Sequence, residues 1–189
     1  FFMKPHSVGL DELTMDNILT IDLEGNVVAG NAKRHSEVYI HSEIFKIRPD
    51  VHSVLHTHPT YSTAFSATGR PIRAYSQGGA MFKDALGTYT DTINLIRNHD
   101  MGHGVAKSLG PHRATMLKNH GVVVAQRLDA DAVDRADVVL VGDGGCGLLD
   151  APEVLRQAAR GRRGVEDDLR PIQAEGAPAL GEVAVVADV

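Results

Sequence analysis

The chain has 189 residues, 43% hydrophobic and 23% charged, which is enough for one domain with a real core and gives little reason to expect two. Its net charge of −5 argues against a general nucleic-acid binder, and no apolar run is long enough to span a bilayer as a helix. The single cysteine, Cys146, excludes an internal disulfide and suits a reducing cytoplasm, and FFMKPHSVGL lacks the basic and apolar regions of a secretory leader.

In chain order, NILTIDLEGNVVAG reads as a hairpin, with Gly25 in Glu24-Gly25-Asn26 supplying the positive φ of a tight turn. SEVYIHSEIFKIRPD reads as a helix capped by Ser36, with Ile40, Ile44 and Ile47 at helical spacing and Pro49 as its stop. VHSVLHTH follows as a strand, and TYSTAFSATG as a short helix closed by Gly69. A longer helix is expected from about Asp91 to Leu109, with Gly110 as its stop and Gly102 and Gly104 as weak points. ATMLKNHGVVVA reads as two apolar half-strands interrupted at Asn119-His120-Gly121, and LDADAVDRADVV as the start of a helix capped by Asp129 or Asp131. No Phe, Tyr or Trp follows Tyr89, and from about Val138 the chain is mostly Ala, Gly, Val, Leu, Arg and acidic residues, so a domain over 1–137 and a divergent tail over 138–189, either a peripheral helix or partly disordered, are expected. In that tail Gly142, Gly144 and Gly147 fit a dinucleotide-loop pattern after VVLV, but no second strand leads to an acidic residue, so a nucleotide site is not expected.

Seven of the ten histidines lie between His35 and His103. Side chains alternate along a strand, so His56 and His58 point the same way, about 6.5–7 Å apart, and can converge on one divalent cation. Two partly exposed strand histidines are the bland alternative. His120 is the best third ligand, because a polar Asn-His-Gly interrupts an apolar β run and Gly121 permits close approach; a simple hairpin turn would explain the same residues. His99 and His103 compete as an i,i+4 helical pair, while His6, His35, His41, His52 and His112 read as structural or surface residues. Glu37, in the first turn behind Ser36, is the nearest candidate acid or base, with Glu43 the alternative. Arg73, Arg97, Tyr75 and Tyr89 are further candidates for holding a carboxylate or donating a proton, each with an ordinary core or surface role as its rival.

The order Ser36-Glu37, then Arg48-Pro49-Asp50, then His56-Thr57-His58, then Asn119-His120-Gly121 resembles the class II aldolase/adducin family over roughly residues 1–135. The resemblance implies a three-layer α/β/α sandwich around a mainly antiparallel sheet, and a homo-oligomer, typically a tetramer; the cytoplasmic expectation rests on the lone cysteine. It implies that His56, His58 and His120 bind Zn2+ or another divalent cation such as Mn2+, Co2+ or Mg2+, and that Glu37 is the catalytic acid/base. Ser36 and Asn119 would then contact a small-molecule substrate, with Arg73 and Tyr75 as candidates from their chemistry alone; charge and hydropathy, as above, give no reason to expect nucleic acid or membrane partners. The implied chemistry is carbon–carbon cleavage through a metal-stabilised enolate: decarboxylation of a hydroxylated aromatic acid, or aldol cleavage of a sugar-phosphate type substrate. His35-Ser36 in place of a Ser-Ser pair, together with YSQGGAMF, resembles the decarboxylase-like branch at least as well as the sugar aldolases. A non-catalytic adducin-like scaffold, or a shortened homologue that has lost activity, is the alternative.

Overall fold

Two sheets and the helices packed on them make up the residues that the structure, a computed structural model, describes: 1–127 apart from 10, 11, 15, 74, 81 and 84. The first sheet contains β1 (Phe2–Met3), β2 (Leu19–Ile21) and β3 (Val27–Ala29), each antiparallel to its neighbour. The β2–β3 hairpin forms as its sequence predicts: Gly25 has φ +83°, and the Asp22 carboxylate accepts from the Asn26 backbone at 2.7 Å and side chain at 3.0 Å. Met3, Leu19 and Ile21 pack with Val38 into a small core beneath this sheet.

Helix α1 (Val38–Ile47) buries Ile40 and Ile44, and stops at Arg48 ahead of Pro49 as expected. Two details differ from expectation. Ile47 is partly exposed, and Ser36 does not cap the helix: it lies exposed in the preceding turn, while Glu37 occupies the cap position without a side-chain cap bond. The Glu37 carboxylate is instead turned toward the centre described below. Past the helix, Arg48 grips Asp50 through Nε and Nη2 at 2.7 and 2.8 Å, and its Nη1 donates to the Gly110 carbonyl at 2.6 Å. That fork ties the end of α1 to a loop 62 residues later.

The larger sheet has the order β4 (Ser53–Thr57), β7 (Gly121–Gln126), β6 (Ala114–Leu117), β5 (Leu86–Tyr89). Its β4–β7 and β7–β6 pairs are antiparallel and its β6–β5 pair is parallel, so this sheet is mixed while the first is antiparallel throughout. Helices α2 (Thr60–Ala67) and α3 (Gln77–Ala80) follow β4, and α4 (His99–Leu109) links β5 to β6, the crossover that a parallel pair requires. The main core joins Ile40 and Ile44 of α1 to Val105 and Leu109 of α4 and to Val54, Leu117 and Val123 of the sheet. Gly102 lets α1 and α4 meet, since a Cβ there would collide with the Tyr39 carbonyl. One of the two supposed weak points of the helix is therefore a point of close packing.

The long helix expected over 91–109 begins only at His99. Asn98 is extended and accepts the Met101 N–H at 2.9 Å, an N-cap that sets the start. Residues 90–98 form a loop instead, because Ile96 is buried in the core and its N–H is committed to Glu37. Among the described residues no helix is long and apolar enough to cross a membrane. The helix start near Asp129, the glycines at 142–147 and the boundary between 1–137 and 138–189 lie outside the described residues.

Candidate metal centre

His56 is the penultimate residue of β4 and His58 follows just past its end, so strand alternation puts both rings on one side, with centroids 4.6 Å apart. His120 reaches them from the β6–β7 connection. Leu117 pairs with Gly121, His120 N–H bonds to the Leu117 carbonyl at 3.1 Å, and Asn119 sits at φ +52°. The two readings of Asn-His-Gly therefore coexist: the segment is a hairpin turn, and that turn delivers the third imidazole 5.0 Å from His56 and 5.1 Å from His58. Gly121 makes the approach possible. A Cβ there would stand 2.5 Å from the Thr57 carbonyl oxygen and 2.8 Å from His58 Cδ2.

Glu37 completes the group from the start of α1. One ligand atom each from Glu37, His56, His58 and His120 lies within 4.8 Å of all the others. A cation bonded at about 2.0–2.2 Å to each requires donors no more than about 4.4 Å apart, which small side-chain rotations supply. The hydrogen bonding also fits a cation. His56 Nδ1 donates to the Val122 carbonyl at 3.1 Å, which leaves the Nε2 lone pair facing Glu37 Oε2 at 3.5 Å. Two acceptors directed at each other repel unless a proton or a metal ion lies between them. His120 Nε2 stands likewise 3.4 Å from Glu37 Oε1, and both of its ring nitrogens are buried without a hydrogen bond. Three imidazoles and a carboxylate form a donor set suited to Zn2+ and similar divalent ions.

Burial pushes the Glu37 carboxyl pKa up, but the His120 and His56 imidazoles and the Ile96 N–H, 2.8 Å from Oε1, outweigh it and hold the group ionised well below the usual carboxylate range. Nothing in the sequence announces Ile96, because its contribution is a backbone N–H brought in by a loop. Thr63 and Ser66 of α2, also unmarked in the sequence, bond to the turn that carries His120.

The remaining candidates separate from this centre. Glu43 faces α4, accepting from His99 Nδ1 at 2.7 Å and Lys46 Nζ at 3.0 Å, with His103 Nδ1 at 3.7 Å, so the competing histidine pair serves a helix–helix contact. His41 is buried on α1, and His6 and His35 pack against each other at 5.1 Å. Tyr89 lies in the main core, while Arg97 is exposed. Arg73 donates to the Tyr75 hydroxyl at 3.4 Å, and both line an open cavity of about 760 Å3 with Tyr61, Phe65 and Arg70; none of the four residues of the centre lines it. Ser36 and Asn119 are exposed beside Glu37 and His120 in the chain.

The profile of the Class II Aldolase and Adducin N-terminal domain matches residues 1–140. Decarboxylase NovR of Streptomyces niveus is 42% identical over 135 residues, covering 70% of this chain and 50% of that protein. An L-fuculose phosphate aldolase of Methanococcus maripaludis is 28% identical over 140 residues, covering 73% of each. An aldolase II superfamily protein from Pseudomonas syringae has a similar fold, with TM-score 0.60 and 20% identity over 87% of this chain and 60% of that one. The chain spans about half the length of several of the curated relatives it matches.

Proposed function

Since the chain belongs to the class II aldolase and adducin N-terminal domain family, we propose that it is a divalent-metal-dependent carbon–carbon lyase acting on a small molecule. The convergence of Glu37, His56, His58 and His120 within 4.8 Å carries this reading. His56, His58 and His120 would hold Zn2+ or a similar ion, which supplies Lewis acidity where negative charge develops on a substrate oxygen. The Val122 carbonyl, by accepting from Nδ1, would leave His56 Nε2 as the atom to hold the ion. Glu37 would be the acid/base: the Ile96 N–H anchors Oε1 and leaves Oε2 to take a proton from a substrate hydroxyl and return it to the carbon freed by cleavage. Its burial keeps bulk water from competing for that proton.

Within this reading, decarboxylation of a hydroxylated aromatic acid ranks ahead of aldol cleavage, on the 42% identity to the decarboxylase against 28–32% to the L-fuculose phosphate aldolases. Ser36 and Asn119 flank the acid/base and the third ligand and would meet the substrate, whereas Arg73 and Tyr75 would act from their own cavity. The family's α/β/α layering, a homo-oligomeric and tetrameric assembly and a cytoplasmic location belong to the same proposal. Metal analysis of the purified chain, with carbon dioxide and aldehyde release measured from hydroxy-aromatic acids and sugar phosphates before and after EDTA, tests it. A bound divalent ion and chelator-sensitive product release are expected. A chain that holds no ion and is indifferent to EDTA would instead be a scaffold.

A further inference from the structure

The turn that carries His120 is held from α2. Thr63 and Ser66 are three residues apart, so their side chains share one helix face. Thr63 Oγ1 donates to the His120 carbonyl at 3.2 Å, and Ser66 Oγ accepts the Asn119 N–H at 2.9 Å while donating to the Thr63 carbonyl at 2.7 Å. The two bonds bracket the pair Asn119–His120. Ser66 is buried, so its bond forms away from competing water. Asn119, at φ +52°, is in the left-handed region that asparagine tolerates better than most L-residues, and the Ser66 bond holds its N–H in that conformation. Only Pro59 separates His58 from α2, and His56 Nδ1 donates to Val122 on the strand that follows the turn. All three imidazoles are thereby referenced to one unit, β4–Pro59–α2.

We propose that Thr63 and Ser66 are positioning residues of the metal centre: their hydroxyls set His120 against His56 and His58, and so set the affinity and geometry of a bound divalent ion. This rests on the metal reading above. Without the Thr63 hydroxyl the His120 carbonyl loses its bond to α2, and without the Ser66 hydroxyl the Asn119 N–H loses its acceptor; either change lets the third ligand drift from the other two.

The test uses Co2+ as probe on the full chain, comparing wild type with Thr63→Val, Thr63→Ser and Ser66→Ala. Affinity is read by chelator competition, geometry by the visible absorption of the bound ion, and folding by circular dichroism and thermal unfolding of the ion-free chain. Thr63→Val and Ser66→Ala are each expected to weaken Co2+ binding by about 10–100-fold and to alter the visible band, with Thr63→Ser restoring both. Wild-type affinity and spectrum in Thr63→Val and Ser66→Ala overturn the positioning role and leave the metal reading standing. Loss of ion-free folding in those two variants, or no rescue by Thr63→Ser, assigns the hydroxyls to folding and also overturns it. A wild-type chain that binds no Co2+ overturns the metal reading itself.

Discussion

Gly121→Ala is the most direct probe of how backbone packing builds the centre. The added Cβ would stand 2.5 Å from the Thr57 carbonyl oxygen, where ordinary contact begins at 3.4 Å, so β4 and β7 must separate by about 0.9 Å at this point. Gly121 does not have positive φ, so alanine adds no dihedral strain and the effect is purely steric. Opening a ladder whose hydrogen bonds are normally about 2.9–3.0 Å by that amount takes the nearest ones beyond about 3.5 Å. Overpacking of this kind costs about 1–3 kcal/mol, and each lost ladder bond adds about 1 kcal/mol. The expected total of about 2–4 kcal/mol lowers the melting temperature by about 4–16 °C for a chain of this size. The same Cβ presses on His58 Cδ2 at 2.8 Å and stands 3.3 Å from His56 Cε1, so metal affinity falls with stability, by about tenfold or more. Differential scanning calorimetry of the ion-free chain and chelator competition with Zn2+ read the two effects separately. An alanine variant with wild-type melting temperature and affinity would refute the argument that the Thr57–Gly121 contact sets the spacing of the ligands.

Glu37→Gln preserves the shape of the side chain and an oxygen for the Ile96 N–H but removes the base; product release is expected to fall by about 10²–10⁴-fold while the ion stays bound, checked by turnover assays alongside metal content. Ile44→Ala empties a fully buried position between α1 and the rest of the core and is expected to cost about 2–5 kcal/mol in urea unfolding. The bidentate Arg48 guanidinium, working against a small burial effect, holds the Asp50 carboxyl at about 2, below its ordinary 3.8. A carboxylate lowered in the folded state stabilises the fold above its unfolded pKa, and that contribution fades as pH falls from about 4 toward 2. Asp50→Asn should therefore be less stable than wild type at pH 6, with the difference shrinking below pH 4; a constant difference across that range would show that the ion pair is not the cause.

The elements that were legible in the sequence are those whose signal is local. The β2–β3 hairpin follows from Gly25 and the Asp22–Asn26 turn, the end of α1 from Pro49, and the convergence of His56 and His58 from strand alternation. Asn119-His120-Gly121 stood out because a polar triplet breaks an apolar strand, and Gly121 does permit the close approach expected of it. Where expectation and structure part, the cause is a contact made far along the chain. Ser36 is a good cap by type, yet the residue after it turns its carboxylate to Ile96, 59 residues away, and the helix starts without a side-chain cap. Residues 91–98 have helix-compatible spacing, but burial of Ile96 and the Asn98 cap delay the helix to His99.

The sequence by itself determined which residues are available for metal chemistry, because residue type and two-residue spacing are properties of the chain alone. Tertiary structure decided how those residues are used. It separated Glu37, which meets the imidazoles, from Glu43, which meets α4 six residues later. It also recruited a backbone N–H and two α2 hydroxyls that no pattern marks. The physical reason is that a side chain's partner depends on which elements the core brings together, and the packing of α1 on α4 and of β4 on β7 spans stretches of chain too long for local periodicity to encode.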